Sequence, residues 1–130
     1  MNTCSNGPPD RAARLLHITS QAAWHAAGTL YRAASLDSEG FIHCSTVDQV
    51  LVPANERFHG HSGLLLLVIA REAIDADVVF EDCYASGMAF PHVYGPIPRA
   101  AVLDAVAFPP GADGRFTLPA ALAPWFDRAD

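Results

Sequence analysis

The chain has no lysine: its basic residues are eight arginines, set against fourteen acidic residues for a net charge of −6. The arginines form no basic stripe, which argues against nucleic acid as a partner. One or two of them would still suffice to hold a small phosphate-bearing ligand. Cysteine is scarce. Cys4, Cys44 and Cys83 are odd in number, widely spaced and without a CxxC, so neither a disulfide framework nor a zinc knuckle is indicated, and a reducing cytoplasm is the simplest compartment. The longest apolar run, LLLLVIA from Leu64 to Ala70, is too short to span a bilayer. The N-terminal MNTCSNGPPD carries neither a basic flank nor an apolar h-region, so no signal peptide is read and residues 1–13 are expected to be a disordered leader. GxSxG, Walker and GxGxxG signatures are all missing.

What remains is a 130-residue chain, half of it hydrophobic, which fits one globular domain. RLLHIT reads as a first strand, followed by a helix over about Gln21–Ala27 that Thr19 or Ser20 caps and Gly28 stops. Leu30–Ala33 is a candidate strand, SLDSEG a turn, and Phe41–Ser45 a strand closed by Thr46 as cap of a second helix. In that helix Val47, Val50, Leu51, Ala54 and Phe58 recur at helical spacing, and Pro53 predicts a kink or a shortened first half. LLLLVIA should be a central strand covered on both faces. REAID is then a single turn, VVFE a strand, and AVLDAVAF a return to the sheet. The core is expected over residues 14–108, with residues 109–130 a peripheral, proline-rich extension. The class is α+β: a mixed or antiparallel split sheet of about six strands with two main helices.

The densest stretch is FPHVYGPIP, where three prolines stiffen a predicted loop and set His92 and Tyr94 two residues apart. In extended backbone the two would point the same way, with Val93 opposite. The pattern recurs in His17-Ile18-Thr19 and His43-Cys44-Ser45: histidine, apolar residue, hydroxyl residue. Each would show imidazole and hydroxyl on one face, either lining a common cleft or standing as unrelated pairs. Glu81, at the end of VVFE, is a candidate acidic partner, able to orient an imidazole or stabilise a developing cation. Arg32 is a candidate for bidentate phosphate contact. His59-Gly60-His61 has HxH spacing in a glycine-rich loop, but the histidines as a whole are scattered, and no metal set is assigned. Cys44 reads as a core residue rather than a nucleophile paired with His43, and Cys83 is a minor candidate.

The order LLHITSQAAW, GFIHCST, LLLLVI, VVFED and FPHVYGPIP, spanning about Leu15 to Phe108, resembles the bacterial family called domain of unknown function 952. That family is distantly similar in fold to the ADP-ribosyltransferases and RNA 2′-phosphotransferases, which hold NAD or ADP-ribose between two small sheets. The resemblance implies an ADP-ribosyltransferase-like fold and a role for His17-Ile18-Thr19 as the first-strand motif that meets a ribose hydroxyl. The glycine-led strand at Gly40 has Ile42 and His43 where a stacking tyrosine would stand.

The leading expectation is therefore a small enzyme, or enzyme-derived pocket, for a nucleotide-like or glycosidic ligand, with NAD or ADP-ribose as possible ligands. His92, Tyr94 and Glu81 would serve the chemistry, and His17, Thr19, His43, Ser45 and Arg32 the binding. A small-molecule binding or biosynthetic protein without NAD chemistry is the alternative, and a zinc-dependent hydrolase a third. No membrane partner is expected, and the oligomeric state is left open.

Overall fold

The apolar segment RLLHITS forms the first strand, β1 (Arg14–Ser20). Ser20 ends it and caps α1 (Gln21–Ala26), its hydroxyl accepting the Ala23 N–H at 3.0 Å. The far end of α1 is closed by Arg99, whose guanidinium lies 4.0 Å from the Trp24 ring and donates to the Ala27 carbonyl at 2.9 Å. There follow β2 (Leu30–Tyr31), α2 (Ala34–Ser38), β3 (Ile42–His43), α3 (Leu51–Arg57), β4 (Leu64–Ala70), β5 (Val78–Glu81), β6 (Phe90–Val93), β7 (Ile97–Pro98), β8 (Val102–Ala107) and α4 (Ala123–Phe126). The structure is a computed structural model and describes residues 13–82 and 85–126. The leader to residue 12 and the cysteines at positions 4 and 83 lie outside the described residues.

The strands form three small sheets ordered β1-β4-β8, β2-β7 and β3-β6-β5. Every pairing among them is antiparallel, so the sheet is split but not mixed. β4 is buried at all seven positions. Its even members, Leu64, Leu66 and Val68, enter one core with Leu16, Val50, Phe108 and Phe116. Leu65, Leu67 and Ile69 enter another with Leu15, Trp24, Tyr31, Ile42 and Val93. A strand between two apolar layers needs no alternation, and this one has none.

Several expectations are corrected. SLDSEG supplies most of the short helix α2, and the predicted loop FPHVYGPIP supplies two strands, β6 and β7. β6 is the middle strand of its sheet; Pro91 is accommodated in it, and the Pro91 carbonyl accepts the Cys44 N–H at 3.0 Å. α3 begins only at Leu51, so Pro53 sits in its first turn, where backbone N–H groups lack an intrahelical acceptor and proline removes no bond. Thr46 does not cap it through its side chain; its carbonyl starts the preceding turn, and Gln49 Oε1 accepts the Thr46 N–H. The C-terminal extension is not peripheral. Phe116, Leu122 and Phe126 are buried in the first core, and Trp125 donates to Asp104 at 3.1 Å.

Candidate functional site

β1 and the segment that follows β3 meet at one point. Leu16 and Ser45 exchange both backbone hydrogen bonds, each 2.8 Å, and beyond this bridge the two chains diverge. Antiparallel register alternates hydrogen-bonded and open pairs. Because Leu16 directs its N–H and C=O away from β4, Ile18, two residues on, does the same. The Ile18 peptide groups therefore face the gap, and neither has a backbone partner among the described residues.

The gap widens into a cavity of about 570 Å³, roofed by α3 and bordered by the segment around Ser86 and Met88. All three sequence pairs contribute to its wall: His17 and Thr19 from β1, His43 and Ser45 from the β3 segment, and His92 from β6. His43 and His92 are direct cross-strand partners, their rings edge to face with centroids 5.4 Å apart. The apolar middles behave as strand geometry requires. Cys44 and Val93 are buried in the second core, and Ile18 packs on the first. Burial pushes the Cys44 thiol up to about 12, which leaves it protonated and unreactive.

His17 is 6% exposed and does not offer its nitrogens to the cavity. Nδ1 lies 2.5 Å from the His43 carbonyl, which can only accept, so Nδ1 carries the hydrogen. Burial, the largest influence, outweighs the favourable bond to the His43 carbonyl and holds the imidazole down at about 4, so the ring is neutral. Nε2 is then a lone pair, and it accepts the Tyr31 hydroxyl at 2.8 Å. Thr19 Oγ1, 2.9 Å from that hydroxyl, donates to the Tyr31 oxygen in turn and keeps lone pairs for a ligand. Burial raises the Tyr31 phenol above its ordinary value, which keeps it a donor.

Ser45 differs. It is 5% exposed and lines the cavity, and its hydroxyl has no hydrogen-bond partner among the described residues. A buried hydroxyl left unpaired costs about 1–3 kcal/mol, a cost that a ligand or solvent atom in the cavity removes.

His92 is 2% exposed and stacks on Phe41 at 4.0 Å between centroids. Its Nδ1–H donates to Glu81 Oε1 at 2.7 Å, and the same oxygen accepts the Tyr94 hydroxyl at 2.6 Å. Register explains the triad: Val79 faces His92 across β5 and β6, so Glu81 is its diagonal neighbour on the same face. The Tyr94 bond first, and the His92 bond second, lower the Glu81 carboxyl below its ordinary value.

The structure thus brings together at the cavity His17, Thr19, Arg32, His43, Ser45 and His92, while Glu81 and Tyr94 stand behind His92 and do not line it. Strand geometry turns Tyr94 to the same face as His92, but at the far end of β6 from the gap. Arg32 reaches the wall with one guanidinium nitrogen paired to Asp37 at 2.6 Å. The sequence reading missed Tyr31, the Ile18 peptide edge, Glu39, whose carboxylate oxygens are each 3.2 Å from His43 Nε2, and Glu56 and Arg57 on the cavity side of α3. For Glu56 and Arg57 a signal existed, since the polar face of an amphipathic helix lay opposite the noted apolar one. For Tyr31 none did, because fourteen residues separate it from His17. The HxH pair falls elsewhere: His61 is bonded to the Phe58 carbonyl and His59 lies against Gly114. Among the described residues no group of three or more His, Cys, Asp or Glu side chains is placed to hold a metal ion. No helix among them is long and apolar enough to cross a membrane.

Comparison with curated proteins returns no match. Among solved structures, the crystal structure of protein CC0527 from Caulobacter crescentus is 30% identical, with a TM-score of 0.75 over 85% of this chain and 98% of that chain. A crystal structure of its double mutant superposes with a TM-score of 0.74, and the solution NMR structure of CC0527 with 0.64 at 26% identity. These neighbours share the α+β architecture of antiparallel sheets with few helices. A family match covers residues 18–105, well over half the chain, and places this protein in the family described as Protein of unknown function (DUF952).

Proposed function

We propose that the cavity binds a nucleotide-like or glycosidic small molecule of the NAD or ADP-ribose type, and that His92 carries out acid–base chemistry on it. The observation that carries this reading is the convergence of three separate imidazole-bearing strand segments on one cavity that holds a buried hydroxyl, Ser45, without a partner among the described residues. The volume falls within the roughly 300–1,000 Å³ of small-molecule sites. Ser45 and the Ile18 peptide groups provide donors and acceptors, and Thr19 provides lone pairs; together they suit the hydroxyls of a ribose. Arg32 and Arg57 supply positive charge to the wall of an otherwise acidic protein, which suits a phosphate. With its Nδ1–H given to Glu81, His92 keeps Nε2 as the basic nitrogen, and the carboxylate stabilises the imidazolium that forms when Nε2 takes a proton. The split between small sheets also accords with the resemblance to ADP-ribosyltransferase-like clefts.

Titration calorimetry with NAD and with ADP-ribose tests the reading. The wild-type chain should bind at least one of them, and Ser45→Ala should weaken it about tenfold, the equivalent of one hydrogen bond of about 1.4 kcal/mol. His92→Gln should retain binding and lose release of nicotinamide from NAD. Heat from neither ligand overturns the proposal. A second reading, a binding protein without turnover, is favoured by the withdrawal of Glu81, Tyr94 and the His17 nitrogens from direct ligand contact. Binding with no nicotinamide release by the wild type would select it.

A further inference from the structure

The Glu81 carboxylate touches two very different environments. On one side is His92, 2% exposed and part of the cavity wall; on the other is Tyr94, 42% exposed and outside the cavity. Both bonds end on the same oxygen, Oε1, at 2.7 and 2.6 Å, and the Glu81 side chain is itself 32% exposed. A carboxylate in contact with both a buried imidazole and bulk water can pass a proton between them.

We propose that Glu81 is a proton port: the buried His92 exchanges its proton with bulk water through the Glu81 carboxylate, outside the cavity, and Tyr94 is the positioning residue that holds Oε1 in line. This rests on the reading of His92 as the acid–base group of the site. The sequence of transfers balances on protons alone. Nε2 takes a proton from a hydroxyl bound in the cavity; the imidazolium gives its Nδ1–H to Glu81 Oε1, and the resulting carboxyl releases it to water. In the reverse direction the Nε2–H passes to a leaving group while water returns a proton through Glu81 to Nδ1. A ligand that fills the cavity does not interrupt this path, because neither Glu81 nor Tyr94 lines the cavity.

Glu81 approaches His92 from β5, and His43, with Glu39 behind it, from β3. Tyr94 follows directly after β6, and Phe41 touches the His92, His43 and Tyr94 rings with centroids 4.0, 4.9 and 5.4 Å away. Of these, Glu81 is the carboxylate bonded to His92 itself. Tyr94 holds it from the solvent side, and loss of that bond lets the carboxylate swing towards water and leave Nδ1.

Nitrogen-15 histidine NMR on the full chain tests the port without any ligand. The wild type should show the Nδ1–H tautomer of His92, with exchange against water that follows the ionisation of the Glu81 carboxyl read by carbon-13 NMR. Glu81→Gln keeps an acceptor for Nδ1–H but cannot carry a proton, and should slow the exchange at least tenfold. Tyr94→Phe should slow it several-fold, because the carboxylate then spends less time bonded to Nδ1. Val52→Trp, which sets an indole at the cavity wall, should leave it unchanged. An Nε2–H tautomer in the wild type, an exchange rate indifferent to Glu81 ionisation, or a rate unchanged in Glu81→Gln would overturn the proposal. Slowing by Val52→Trp would do so too, since it would place the route through the cavity. If Glu81→Gln does not fold, the wild-type dependence on Glu81 ionisation still decides. Failure of NAD and ADP-ribose to bind would count against the proposed function and leave the port to be judged by exchange alone.

Discussion

At the scale of single residues, His17 shows how a side chain suited to binding can be taken up by the fold. The H-x-T pattern places the imidazole and Thr19 on one face, and the structure keeps them there, but Tyr31 and the His43 carbonyl occupy both ring nitrogens. A consequence follows for stability. The folded imidazole is held at about 4 while the unfolded chain titrates near 6.5, so between these values the unfolded state binds more protons. Stability from this group is therefore complete above pH 6.5 and declines as pH falls toward 4, by as much as roughly 3 kcal/mol. Glu81, whose carboxyl is lowered, loses its contribution only further down, as pH drops below the ordinary carboxylate range. Urea denaturation of the wild type and of His17→Asn at pH 7 and pH 4.5 separates the two. The asparagine amide can still donate to the His43 carbonyl but cannot titrate, so the variant should show a smaller loss on acidification, and equal losses would refute the assignment.

At the scale of elements, what the sequence made legible were the places where pattern and packing agree. LLLLVIA could only be a central strand, and the three histidine–hydroxyl pairs kept their shared face because period-two geometry is insensitive to exact strand ends. Elements set by distant contacts were not legible. FPHVYGPIP reads locally as a proline-stiffened loop, yet β3 and β5 flank its first half on both sides and make it a strand. Tyr94 fell outside the site for a related reason, since its face was predictable but its distance from a gap opened by β1 was not. The tail is the clearest case: proline and alanine density suggested a surface segment, while Phe116, Leu122 and Phe126 close a core. Asn55 ties this tail to α3, accepting the Phe116 N–H at 2.7 Å and donating to its carbonyl at 3.4 Å. Phe116→Ala should thus cost about 3–5 kcal/mol and Asn55→Ala about 1–3 kcal/mol in urea unfolding. The double mutant should cost less than the sum, because Asn55 anchors the backbone that carries the Phe116 ring, and without the ring the anchor has less to hold in the core. A Phe116→Ala cost within 0.5 kcal/mol, on the order of a surface substitution, would mean that the tail does not belong to the core.

At the scale of the whole molecule, the two cores are separate apolar layers on the two faces of the β1-β4-β8 sheet, whose central strand is β4. Leu66 faces one and Leu67 the other, both fully buried, and β4 pairs with β1 along its whole length and with β8 from Leu65 to Ile69. The cavity lies at the outer edge of this sheet, on the side of β1 away from β4, where the Leu16–Ser45 bridge ties β1 to the β3 segment. Neither layer can dissolve alone, since losing either exposes the same seven-residue apolar strand to water and withdraws support from β1. Unfolding is then a single cooperative event despite the division of the interior, as is usual for a domain of this size. Scanning calorimetry of Leu66→Ala and Leu67→Ala checks this from both sides. Each truncation should cost about 2–5 kcal/mol, a fall of roughly 6–20 °C in Tm, and each should move one symmetric transition without splitting it. If instead Leu67→Ala produced an early transition that left the Leu66 layer intact, the site would rest on a locally unfolding half. His43 and His92 would then be free to separate from His17 while the β1-β4-β8 sheet persisted.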